Sequence, residues 1–195
     1  MSWIEDLLII AGLLLDLFAA MACHGALVAK INKKGLLLVS LIVGACQLAA
    51  LYLGYFLATV MEGQQSISEN GIVLAELIAI IIFFALAARL IYKAIKNEPV
   101  IERREERLGY KRFLRMAAMT GIYTLLAGIA FGFLKTGVIT ILVMVVVVAI
   151  VYVITGMYMG YRLGAQPKRK VYFIGAALLI IAGIDVIIRC ALNII

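Results

Sequence analysis

The stretch LLLDLFAAMACHGAL (residues 13–27) decides the fold, because it belongs to an apolar segment long enough to span a membrane. It also places one carboxylate inside that segment. That segment covers residues 4–28 and exceeds the roughly 20 residues with which a helix crosses a bilayer. Asp16 lies about twelve residues from either end, so a helix would hold it near the middle of the membrane. A carboxylate at that depth costs roughly 2.5–3.5 kcal/mol on insertion scales and by default marks a functional site.

The composition of the whole chain also indicates a membrane protein. Of its 195 residues, 66% are hydrophobic and the mean hydropathy is +1.13, whereas soluble domains are about 45–50% apolar. The first apolar segment lacks a preceding basic region and is too long for a cleaved signal, so we expect it to be the first helix. We predict an all-α integral membrane protein with a single domain over residues 1–195. Six transmembrane helices are predicted at residues 4–28, 36–61, 71–95, 112–134, 136–160 and 171–193.

The basic residues predict the orientation of these helices. Sixteen of the 18 Lys and Arg residues fall on one side of the predicted membrane, leaving only Lys135 and Arg189 for the other. Because positive charge marks the cytoplasmic side, both termini are predicted outside, and residues 97–111 form a cytoplasmic linker. The net charge of +7 is then a topology signal that suits anionic lipid, and no nucleic-acid partner is expected.

Three pairs of short segments indicate an internal duplication. DLFAAMACHGAL in helix 1 resembles YTLLAGIAFGFL in helix 4, LGYFLA in helix 2 resembles MGYRLG in helix 5, and ALAARLI in helix 3 resembles IAGIDVI in helix 6. Since each half has an odd number of spans, the second half would enter the membrane the other way up. We predict two inverted three-helix repeats, at residues 1–96 and 112–195, as in many secondary transporters. The alternative is a chance likeness among apolar helices.

Four polar residues are the predicted ligands of a transported cation. Asp16, Gln47 and Tyr123 lie at the centres of helices 1, 2 and 4, and Asp185 lies in helix 6. Carboxylate, amide and phenol oxygens suit hard cations. The alternative for Asp16 is that it only hydrogen-bonds to its neighbours, or is protonated.

Further side chains are candidates for the same site: Cys23, His24, Cys46 and Arg89. Thiol and imidazole would make the site softer, but the alternative for Cys23 and Cys46 is helix packing. The repeat alignment sets Arg89 opposite Asp185 without assuring a salt bridge, and Arg89 alternatively extends to the inner surface.

Glycines at a four-residue spacing predict close helix contacts. Gly128 and Gly132 form one such pair in helix 4, and Gly156 and Gly160 form another in helix 5. A glycine every fourth residue lets two helix backbones approach each other in a membrane.

Short motifs along nearly the whole chain resemble a known family. They are GLLLDLFAA, GACQLAALYLGY, FFALAARLIYKA, NEPV, GIAFGFL, GMYMGYRLG and GAALLIIAGI. Together they are similar to the bacterial putative manganese efflux pump family (MntP) of the LysE transporter superfamily. The resemblance implies an inverted-repeat exporter of Mn²⁺ in the bacterial inner membrane, with an essential carboxylate at Asp16. It also implies a Glu where this chain has Gln47 and an Asp where it has Tyr123, so two acids are replaced, and Asp185 is an extra one.

These observations favour a transporter over an enzyme. We expect an inner-membrane exporter of a divalent, manganese-like cation by alternating access, with no cofactor apart from the transported cation. The expected partners are the cation and the lipid bilayer, and a homo-oligomer is compatible with the sequence. Two alternatives stay open: an exporter of an amino acid or other small solute, and a membrane scaffold that transports nothing.

Overall fold

The computed structural model describes residues 3–27, 33–64, 69–96, 110–134, 137–163 and 168–193, and these are almost entirely helical. Each of the six helices contains a stretch long and apolar enough to cross a membrane. This confirms the predicted all-α, six-span membrane protein. The helices are α1 (Trp3–Leu27), α2 (Lys33–Gln64), α3 (Glu69–Lys96), α4 (Tyr110–Phe133), α5 (Val138–Leu163) and α6 (Lys168–Asn193).

The two faces of α5 show why these helices need a bilayer. One face is buried at a four-residue spacing, through Ile141, Val145, Ala149 and Val153. The opposite face is just as apolar but exposed, at Ile139, Val143, Val147 and Val151. A helix that is apolar all round is stable only in a protein core or in lipid. The exposed stripe therefore faces the hydrocarbon.

The helix packing is symmetric between the two halves of the chain. If α1, α2 and α3 are treated as equivalent to α4, α5 and α6, the two halves make the same set of helix contacts. α1 packs on α5 and α6, and correspondingly α4 packs on α2 and α3. The remaining contacts, α2 with α5, α3 with α6 and α1 with α4, join equivalent helices. This arrangement is the one expected of two equivalent halves, while their inverted relation stays a prediction.

Glycines bring two pairs of helices into backbone contact. A Cβ atom added to Gly160 of α5 would overlap the carbonyl oxygen of Ala22 in α1, and one added to Gly128 of α4 would overlap that of Leu51 in α2. Only a residue without a side chain permits this approach. The predicted use of these glycines for close helix contact is confirmed.

Several helix ends extend beyond the predicted boundaries, most clearly in α2. α2 begins at Lys33 and ends at Gln64, whereas the apolar pattern predicts residues 36–61. Polar side chains at a membrane surface are hydrated and do not stop a helix, so the hydrophobic pattern ends before the helix does. Most of the predicted linker, residues 97–109, lies outside the described residues.

We expect Gly160→Ala to destabilise the fold, because the new methyl group forces α1 and α5 apart. Overpacking of this kind typically costs about 1–3 kcal/mol in the free energy of unfolding. Gly44→Ala is the matched control, since its Cβ would lie 3.7 Å from Ile150 Cγ1, an ordinary contact. Thermal unfolding of both purified variants in detergent checks the expectation, and equal melting temperatures would contradict it.

Candidate functional site

Asp16 is buried in α1 and forms ion pairs with two basic side chains of α3. It is 4% exposed. Arg89 donates through a terminal guanidinium nitrogen to one carboxylate oxygen at 3.0 Å, and Lys93 Nζ donates to the other at 2.7 Å. Each carboxylate oxygen therefore has its own cation. Charge pairing of this kind is what makes a buried carboxylate tolerable in an apolar interior.

The spacing of the two basic residues explains how both reach one carboxylate. Arg89 and Lys93 are four residues apart and so lie on the same face of α3, with side chains that lean towards the start of the helix. α1 and α3 pack mainly on other helices, and the long basic side chains span the space between them. The repeat alignment sets Arg89 opposite Asp185 without assuring a salt bridge, and the structure pairs Arg89 with Asp16 because α3 presents this face to it.

Two tyrosines complete the cluster around these charges. The guanidinium carbon of Arg89 lies 3.1 Å from the ring centroid of Tyr123 in α4. Lys93 Nζ lies 5.7 Å from the ring centroid of Tyr172 in α6. Cations are attracted to the faces of aromatic rings at these distances. Four helices thus contribute to the cluster, and two cations against one carboxylate give it a formal charge of +1.

Gln47 belongs to a separate polar network between α2 and α4. It is fully buried; its side-chain nitrogen donates to the hydroxyl of Thr120 at 2.8 Å, and the hydroxyl of Thr124 donates to its side-chain oxygen. Both polar atoms of the amide are therefore engaged by α4. Sequence reasoning missed Thr120 and Thr124, although hydroxyls four residues apart on an apolar helix are a usable signal.

Asp185 lies away from the cluster, in the wall of a cavity between α1 and α6. The cavity has a volume of about 150 Å³, and its lining includes Leu8 and Ile9 of α1. Leu8 precedes Asp16 by eight residues, which corresponds to about 12 Å along the helix axis. The structure therefore brings Asp16 and Tyr123 together around Arg89, but not Gln47 or Asp185.

Three predicted candidates remain: Cys23, His24 and Cys46. Cys23 and Cys46 are half-buried free thiols, and His24 is also half-buried. Cys46 packs against the hydrophobic core. Within the described part of the chain, no three His, Cys, Asp or Glu side chains are grouped so as to hold a metal ion.

Comparisons with known proteins agree with one another. A family model described as "Putative manganese efflux pump" matches residues 30–187. Proteins named putative manganese efflux pump MntP are similar over almost the full chain. One from Acetivibrio thermocellus is 27% identical, covering 96% of this chain and 91% of the relative. One from Methanosarcina mazei is 26% identical, covering 96% of both, and one from Clostridium botulinum strain Hall is 23% identical, covering 97% and 96%. No solved structure was found to match.

We expect Gln47→Leu to lower thermal stability, because the amide of Gln47 is engaged by two hydroxyl groups of α4. Loss of such a hydrogen bond typically costs about 0.5–1.5 kcal/mol, and both threonine hydroxyls keep bonds to carbonyl oxygens of α4. Thr155→Val is the matched control, since the exposed Thr155 hydroxyl bonds only within its own helix. Thermal unfolding of both purified variants checks this, and a melting temperature of Gln47→Leu equal to that of the wild type would contradict it.

Proposed function

This chain belongs to the putative manganese efflux pump family, and on that premise we propose that it exports a divalent, manganese-like cation by alternating access. It is a multi-pass membrane protein. We place it in the bacterial inner membrane with both termini outside, as the basic residues predict. The observation that carries the proposal is the buried carboxylate of Asp16, held at the middle of α1 by two basic side chains of α3.

Asp16 is the residue that we assign to cation binding. Carboxylate oxygens suit Mn²⁺ and other hard divalent cations. Among the acidic side chains that the structure describes, Asp16 lies closest to the middle of its helix. The cluster around it draws side chains from three other helices, α3, α4 and α6. Of the other predicted ligands, Tyr123 is adjacent through Arg89, whereas Gln47 and Asp185 belong to other surroundings. We therefore propose a site centred on Asp16 with Tyr123 as its neighbour.

The position of the cluster supports alternating access. Asp16, Arg89 and Lys93 come from α1 and α3 in the first half of the chain, and Tyr123 and Tyr172 from α4 and α6 in the second. Transporters built from two repeats bind their substrates where the repeats meet. A movement of the α1–α5 pair against the α2–α4 pair would change the surroundings of Asp16 and leave the glycine contacts within each pair intact, as alternating access requires.

The charge of the cluster favours a second candidate, an exporter of amino acids or similar zwitterions. Arg89 and Lys93 could receive a substrate carboxylate while Asp16 receives its ammonium group, so the cluster offers both halves of such a recognition site. Family membership argues for the metal. Flux of labelled amino acids in proteoliposomes, with no response to metal ions, would favour the second candidate.

We expect Asp16→Asn to abolish metal export, because a neutral amide cannot bind a divalent cation in place of a carboxylate. In cells lacking their own manganese exporter, the wild type should lower intracellular manganese, and the variant should match an empty vector. Asp185→Asn is the comparison and should retain export, since Asp185 lies at the separate cavity.

The membrane level of each variant, followed with a C-terminal fluorescent tag, controls for folding. If cells with the wild type accumulate manganese, zinc, cobalt and cadmium as the empty vector does, metal export is contradicted. A membrane scaffold would remain the explanation if the wild type also failed to move amino acids. If Asp16→Asn exports as well as the wild type, the role of Asp16 is contradicted instead.

A further inference from the structure

We propose that Lys93 is a tethered cation that occupies the cargo position on Asp16, and that the transported cation loads by displacing it. The inference rests on the proposed function, because it describes how the same carboxylate exchanges partners. Lys93 Nζ lies 2.7 Å from one carboxylate oxygen, while Arg89 binds the other at 3.0 Å. One oxygen of Asp16 is thus held by each cation, and the two cations differ in how firmly they are placed.

Arg89 is the fixed partner of Asp16. Its guanidinium group is stacked 3.1 Å from the centroid of the Tyr123 ring and its side chain is 22% exposed. A planar guanidinium that combines an aromatic face with a carboxylate bond is held from two sides. Displacing Arg89 would break both contacts at once, so it stays in place while the other oxygen changes its partner.

Lys93 is the displaceable partner. Its side chain is 36% exposed, more than that of Arg89, and its nearest ring centroids are 5.7 and 6.0 Å away. It lies three residues before the end of α3 at Lys96. A lysine close to a helix end can extend its flexible stem and place its ammonium group in the hydrated interface. The Lys93 ammonium group can therefore move into the hydrated interface when it leaves Asp16.

The net positive charge of the cluster requires Lys93 to leave Asp16 when a divalent cation binds. The cluster carries +1 with both basic side chains in place, and a divalent cation added to it would raise the charge to +3. Like charges in a poorly hydrated site repel strongly. Departure of Lys93 lowers the charge of the loaded site from +3 to +2. When Lys93 returns after transport, its ammonium group competes with the cargo for Asp16. The same lysine thereby excludes adventitious cations before loading and assists release afterwards.

The decisive test compares Mn²⁺ binding by purified full-length protein with a neutral residue at position 93. Without its competitor, Lys93→Met should bind Mn²⁺ about tenfold more tightly than the wild type. In proteoliposomes its KM for Mn²⁺ should fall together with its maximal rate, because release loses its assistance. Lys93→Arg, which restores the charge, should return affinity to the wild-type value or below. Lys96→Met, an exposed lysine on the same helix that lies over Tyr92, should behave as the wild type.

A chemical readout follows the pair itself. Dicyclohexylcarbodiimide should activate the Asp16 carboxyl group, and the Lys93 amine should attack it. An amide then joins α1 to α3, and the water lost converts the reagent to its urea. Mass spectrometry should detect the link in the wild type but not in Lys93→Arg, and Mn²⁺ should suppress it.

The outcomes separate the two proposals. If the wild type exports Mn²⁺ but Lys93→Met binds it no more tightly, displacement is wrong and metal export stands. A link that forms equally with and without saturating Mn²⁺ in an exporting protein also refutes displacement. If the wild type neither binds nor exports manganese, zinc, cobalt or cadmium, metal export is wrong and the inference falls with it.

Discussion

A buried carboxylate between two cations is the constraint around which this membrane domain is arranged. Lipid offers Asp16 no water, so its charge must be balanced by protein groups. Arg89 and Lys93 supply that balance. Removing one partner of a buried ion pair typically costs about 3–5 kcal/mol, since the other charge is left uncompensated. These ion pairs thereby favour the observed rotation of α3 about its own axis, because another face turned towards α1 would leave the Asp16 carboxylate unpaired.

Helix packing supplies the geometry that the pair requires. α1 is drawn against α5 by Gly160, and α2 against α4 by Gly128. These backbone contacts are insensitive to charge and hold the helices rigidly. α3 meets α1 through long side chains, and such contacts exchange partners more easily than interlocked backbones. The fold therefore combines two fixed helix pairs with a polar contact that can be remade.

The sequence predicts the six helices, the depth of Asp16 and the packing glycines, because hydrophobic length and residue spacing are local properties. It does not predict which helix faces meet. Lys93 counts only as a basic residue near a helix end, and Arg89 only as a further candidate without a partner, until α3 is turned towards Asp16. Gln47 is a plausible ligand by depth alone, and its engagement by Thr120 and Thr124 depends on α2 and α4 being neighbours. Tertiary contact decides these roles.

Compared with the carboxylate that the family resemblance implies at this position, Tyr123 changes the net charge of the cluster. A tyrosine attracts the Arg89 guanidinium through its ring face but adds no negative charge. A carboxylate there, which the family resemblance implies, would hold the same guanidinium and make the cluster neutral. Two unit charges about 4 Å apart interact by about 4 kcal/mol at an effective dielectric constant of 20. With Tyr123 in place, that compensation is missing, so the displacement that we propose for Lys93 matters more in this chain than it would beside a second carboxylate.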